Sequence, residues 1–96
     1  MENKAKSYLG QARNAGYLII GSDKLDGYDK KLFLILIDEN AGKSSNKIAL
    51  RHKENGVEVV FVDNLEELSS IKNCKILGIK NKGLSEEIKK NLVKEN

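Results

Sequence analysis

The sequence predicts an α/β fold, a central sheet sandwiched between layers of helix, on three observations. Apolar residues recur at helical spacing in several segments, and between those segments lie short runs rich in leucine, isoleucine and valine. The longest such run, Leu32 to Ile37, contains no polar position, as a strand covered on both faces requires. The chain is 40% hydrophobic and 32% charged, which permits a packed core and lies outside the regime of disordered chains.

The elements follow in order. Ala5, Tyr8, Leu9 and Ala12 fall at i, i+3, i+4 and i+7, and Gly16 follows, so a helix is expected from about Lys4 to Ala15. Leu18 to Ile20, ended by Gly21, reads as a short strand. Ser22 or Asp23 is a candidate cap for a helix that Gly27 limits to one or two turns. The run from Lys31 to Ile37 is the expected central strand. Lys43 to Asn55 reads as a helix with Ile48 and Ala49 inward, closed by Asn55-Gly56. Val57 to Val62 is apolar on one face and nearly so on the other, so both faces are expected to be covered. Asn64 with Glu67 resembles a capping box for a short helix carrying Leu65, Leu68 and Ile71. Lys75 to Ile79 is a fourth strand. Ser85 is the expected cap of a last helix with Leu84, Ile88 and Leu92 as its buried stripe. That helix carries Glu86 and Glu87 early and Lys89, Lys90 and Lys94 late, the order its dipole favours, and Val93 to Asn96 are expected to fray.

Composition removes several function classes. A chain of 96 residues fits a single domain. Its 17 Lys+Arg against 14 Asp+Glu give a formal net charge of +3, compatible with a polyanionic partner without demanding one. No apolar run approaches the roughly 18 residues of a membrane span, and the N-terminus lacks the apolar stretch of a signal peptide, so a cytoplasmic location is expected. With one cysteine, Cys74, and one histidine, His52, neither an intrachain disulfide nor a Cys/His metal site is expected. A strand followed by Gly42-Lys43-Ser44 resembles a phosphate-binding loop, but its first glycine would fall at position 37, which is Ile37, so no nucleotide binding is expected. No catalytic set assembles. His52 reads as a packed or half-exposed side chain beside Ile48 and Ala49 and Cys74 as a small buried hydrophobe, and the adjacent pairs Glu66-Glu67 and Glu86-Glu87 point about 100° apart on their helices and cannot flank one bond. Phe33 and Phe61 fall in strands expected to be buried, which argues against a base-stacking sheet face and leaves loops and lysines to grip any nucleic acid.

The string Leu9-Gly10-Gln11-Ala12-Arg13-Asn14-Ala15-Gly16, followed by Leu18-Ile19-Ile20-Gly21, resembles the opening L-G-x-A-R-x-A-G-x-L-x-x-G of bacterial members of the ribosomal protein L-seven-Ae superfamily, small proteins that bind kink-turn RNA. Lys31-Leu32 through Asp38 resembles the family's central strand, Asn40 to Ile48 its D-A-S-x-N-T-K-K-K-I stretch, and Asn55-Gly56-Val57 the turn into the next strand. Val62-Asp63-Asn64-Leu65-Glu66-Glu67-Leu68 resembles its V-x-S-K-E-E-L-G segment. The resemblance runs from Tyr8 to Ile79. It implies a three-layer α/β/α sandwich, with a central four-stranded mixed sheet, and a non-enzymatic, ribosome-associated protein without cofactor.

The resemblance further implies an RNA surface at Gly21, Ser22, Asp23 and Lys24, supported by Lys30 and Lys31 and by a loop after the third strand at Val62, Asp63 and Asn64. The family's guanine-reading G-x-N-E-x-x-K motif is matched by Gly21, with Asp23 at the asparagine, Lys24 at the glutamate and Gly27 at the lysine. An ionised aspartate only accepts hydrogen bonds and repels phosphate, so base reading is weakened while lysine contacts to the backbone survive. The second helix is also shorter than in the family, and Ser69 stands at its glycine. The alternative on the same residues is a divergent member that has lost kink-turn recognition and serves as a protein-interaction module.

Overall fold

The computed structural model describes residues 4–92; Val93 to Asn96, including Lys94, lie outside the described residues. In chain order the elements are α1 (Lys4–Asn14), β1 (Leu18–Ile20), α2 (Ser22–Asp26), β2 (Leu34–Asp38), α3 (Lys43–Glu54), β3 (Glu58–Val62), α4 (Leu65–Ser69), β4 (Ile76–Ile79) and α5 (Lys82–Leu92). Four strands form one mixed sheet in the order β1-β4-β2-β3. β4 is antiparallel to both β1 and β2, whereas β3 is parallel to β2, with Leu34 opposite Glu58 and Asp38 opposite Val62.

The fold is the predicted three-layer α/β/α sandwich, and β2 shows why its sequence has no polar position. Leu34 and Leu36 point into a core with Ala5 and Leu9 of α1, Leu65 and Leu68 of α4 and Ile88 of α5. Ile35 and Ile37 point the other way, against Leu25 of α2 and Ile48 and Ala49 of α3. Each fully buried leucine or isoleucine stabilises the fold by about 1.5–3 kcal/mol relative to exposure. No helix among the described residues is long and apolar enough to cross a membrane.

Several local expectations are corrected. The central strand starts at Leu34 and not at Lys31, because the chain first crosses from α2 and enters the sheet through Phe33, whose N–H donates to the Ile79 carbonyl at 3.0 Å. The N-cap of α2 is Gly21, not Ser22 or Asp23, and it offers no side-chain hydrogen bond. Ile71 lies beyond α4, whose C-cap is Ser70. The last helix begins at Lys82, where the Asn81 carboxamide oxygen accepts from Leu84 N–H at 2.8 Å, so Ser85 sits inside the helix, 4% exposed. Leu84 and Leu92 are only half-buried there. Phe61 is 54% exposed, because β3 is an edge strand and α3 covers only part of its face.

One glycine sets the depth of the α2 layer. A Cβ on Gly78, in the middle of β4, would stand 2.9 Å from a Leu25 methyl and 3.2 Å from one of Leu32, both buried. Gly78→Val is therefore expected to force α2 outward and destabilise the protein by about 1–3 kcal/mol. Urea denaturation reads this directly, and an unchanged midpoint would contradict the close packing.

Candidate nucleic-acid interface

Because β1, β2 and β3 run the same way, their C-terminal ends lie at one end of the sheet, together with the N-termini of α2, α3 and α4 and the segment entering β4. Gly21 begins that end. Its φ of 97° and ψ of 154° suit glycine alone, and its N–H donates to the Ile76 carbonyl at 3.0 Å, which ties the start of α2 to β4. The first backbone bond of α2 runs from Leu25 N–H to the Gly21 carbonyl, leaving the N–H groups of Ser22, Asp23 and Lys24 ahead of the helical ladder.

These four residues line an open groove of about 490 Å³ whose opposite wall is the loop from Ile71 to Lys75. That loop is built in detail. Ser70 and Asn73 both take φ of 62°, in the left-handed region. The buried Ser69 hydroxyl accepts from Ile71 N–H at 3.1 Å, and Cys74 N–H donates to the Ile71 carbonyl at 3.2 Å. Cys74 is buried, and burial pushes its thiol above the ordinary range, so it packs and does not act as a thiolate. Lys24, Lys72 and Lys75 contribute three cations to the groove against the single carboxylate of Asp23.

Behind the groove stands Asp38, 2% exposed at the end of β2. Its Oδ2 accepts from Leu65 N–H at 2.9 Å and its Oδ1 from Asn40 N–H at 2.7 Å, so one carboxylate fixes both the start of α4 and the turn into α3. Those two hydrogen bonds, with a smaller contribution from Lys75 at 4.0 Å, hold its pKa below the ordinary aspartate value against the opposing cost of burial. In the same turn Glu39 N–H donates to the Val62 carbonyl and Ala41 N–H to the Asp38 carbonyl. The amides of Glu39, Asn40 and Ala41 are thus engaged within the chain.

The predicted site residues fall into three places. Gly21, Ser22, Asp23 and Lys24 are together. Val62, Asp63 and Asn64 share their end of the sheet but not their groove: β1 and β3 are opposite edges with β4 and β2 between them, a separation of about 14 Å at the usual strand spacing. They line a separate groove with Lys6 and Glu67, and the Asn64 side chain is engaged in capping α4 by accepting from Glu67 N–H at 3.2 Å. Lys30 and Lys31 lie at the other end, where they line a cavity of about 600 Å³ with Asp26, Arg51 and His52. Antiparallel placement of β4 between β1 and β2 is the cause of both corrections, since it brings the β4 entry loop, and not the loop after β3, beside α2.

Sequence reading missed Ile71 to Lys75. The available signal was Ser69-Ser70, which stops α4 early and frees a lysine-bearing loop. His52, expected to be packed or half-exposed, is packed. It is 7% exposed, and its Nε2 lies 2.9 Å from the Leu25 carbonyl; since a carbonyl only accepts, Nε2 carries the proton, and the bond fastens α3 to α2.

No protein-family model matches the sequence, and no curated protein does. Among solved structures, a protein of unknown function from Bacillus halodurans C superposes with a TM-score of 0.83 at 22% sequence identity, over 95% of this chain and 98% of that one. The likeness establishes a shared fold.

Proposed function

We propose that the protein is a cytoplasmic, non-enzymatic binder of structured RNA of the kink-turn type, a divergent relative of the ribosomal protein L-seven-Ae superfamily, and associates with ribosomal or ribosome-like RNA. The observation that carries this reading is the groove between Gly21–Lys24 and Ile71–Lys75, where Lys24 of α2 and Lys72 and Lys75 of the loop entering β4 stand beside backbone amides not used by α2. Backbone N–H groups and lysines are the donors that position a phosphate chain, and Ile71 adds an apolar surface for an unstacked base. The resemblance at Leu9 to Gly21 points to the same strand-to-helix junction, and the sandwich it implies is the fold the chain adopts. No nucleotide is part of the proposal, since Ile37 stands where a phosphate-wrapping loop needs its first glycine.

Titration of a kink-turn duplex RNA at near-physiological salt tests it. Lys24→Ala is expected to weaken binding by about 1–3 kcal/mol if the lysine meets a base edge, and by less if it meets only phosphate. Asp23→Asn is expected to strengthen it by removing a negative charge and supplying a donor. Lys31→Ala, at the far end of the sheet, should leave affinity unchanged. Equal losses for Lys24→Ala and Lys31→Ala would refute the groove as the RNA surface.

A further inference from the structure

Tyr17 carries an aromatic ring at the surface, 36% exposed, on a backbone that is fixed from both sides. Gly16, with a φ of 79°, ends α1 in a left-handed turn, in which Gly16 N–H donates to the Arg13 carbonyl at 3.1 Å and Tyr17 N–H to the Ala12 carbonyl at 2.8 Å. The Tyr17 carbonyl in turn accepts from Lys80 N–H at 2.8 Å, which ties it to the end of β4. These bonds set Tyr17 beside Arg13, exposed in the last turn of α1, and beside the half-exposed Lys80. The ring belongs to neither of the two cores.

We propose that the RNA surface continues from the Gly21–Lys24 groove along β1 to Tyr17, which stacks an unpaired base of a single-stranded extension while Arg13 and Lys80 hold the phosphates beside it. The inference rests on the groove's binding structured RNA. β1 joins the two places directly. It is an edge strand, and four residues at the rise of a strand put Gly21 and Tyr17 about 13 Å apart. Since the Tyr17 carbonyl and the Gly21 N–H both face β4, alternation turns the N–H groups of Leu18 and Ile20 outward along that path, where they serve as phosphate donors. A base laid on the ring needs no edge readout, because every base has a π-face.

Charge favours a polyanion here. α1 carries Lys4, Lys6 and Arg13 and no carboxylate, and β1 and β4 carry none. α2 holds Asp23 and Asp26 against Lys24, and Asp26 is already paired with Arg51 at 2.8 Å. The loop leaving α2 adds Asp29 beside Lys30 and Lys31. Neither Arg13 nor Lys80 is in an ion pair among the described residues. A β-strand from another protein would find only three residues of β1 to pair with and would leave both cations unmet.

A blunt kink-turn duplex, compared with the same duplex bearing about six unpaired adenosines at its 5′ or its 3′ end, separates the two surfaces. One of the two extensions is expected to tighten binding about tenfold. Tyr17→Ala should abolish that gain and leave the blunt duplex at wild-type affinity, whereas Tyr17→Phe, which keeps the ring, should keep the gain. Arg13→Gln combined with Lys80→Gln should reduce the slope of log affinity against log salt by about 1.4 for the extended RNA, the share of two single-strand phosphates, and by nothing for the blunt one. Blunt binding with no gain from either extension overturns the proposal and leaves the groove intact, as does a gain that survives Tyr17→Ala. Failure to bind either RNA refutes the groove itself, and the extended surface with it.

Discussion

Asp38→Ala is expected to destabilise the protein by about 2–4 kcal/mol, the largest single-residue effect anticipated outside the apolar core. The carboxylate accepts from the buried N–H of Leu65 and from that of Asn40, and alanine leaves the first without a partner inside the protein. The effect depends on pH in a defined direction. Since the folded pKa of Asp38 lies below its unfolded value, the carboxylate's stabilisation is complete above the ordinary aspartate pKa of about 3.9 and is lost as pH falls through the lower folded value. Urea denaturation of wild type and variant at pH 7 and in steps below pH 5 measures this. The gap between the two should be constant near neutrality and close under acid; a gap that persisted unchanged at the lowest pH would show that the hydrogen bonds do not require the ionised form. The loops that build the groove should suffer first, because Asp38 joins the α4 start, the α3 turn and, through its backbone N–H to the Lys75 carbonyl at 2.8 Å, the entry to β4.

A second large effect is expected in the salt dependence of RNA binding. If Lys24, Lys72 and Lys75 each neutralise one phosphate, log affinity should fall against log salt with a slope of about −2.5, which is about a thirtyfold loss between 50 and 200 mM. Removing one of the three should reduce the slope by nearly one unit as well as lowering affinity, whereas Lys31→Ala should change neither. A flat salt plot would mean that apolar or base-edge contacts supply the affinity, and would refute a lysine-led interface. A slope well beyond three would mean that cations outside the groove take part, with Lys43 at the start of α3, on the same end of the sheet, a candidate.

Local chemistry alone determined much of this protein. The helical spacing of Ala5, Leu9 and Ala12, the unbroken apolar run of β2 and the cap at Asn64 act over a few residues, so each was legible before any partner was known. Burial of Cys74 and His52 was legible in part, since Cys74 opens an expected strand and His52 lies on the helical face of Ile48 and Ala49. Strand order was not. Nothing local to Val62–Asn64 or to Ile71–Lys75 says which of them comes beside α2, because that depends on β4 inserting between β1 and β2, a pairing of segments some 60 residues apart. The same non-local choice made β3 an edge and exposed Phe61, although its alternating pattern reads as doubly covered, and it sent Lys30 and Lys31 to the far end of the sheet. Periodicity records which residues prefer to leave water, whereas the neighbour that covers them, and therefore the surface left for a partner, is settled only when the sheet closes.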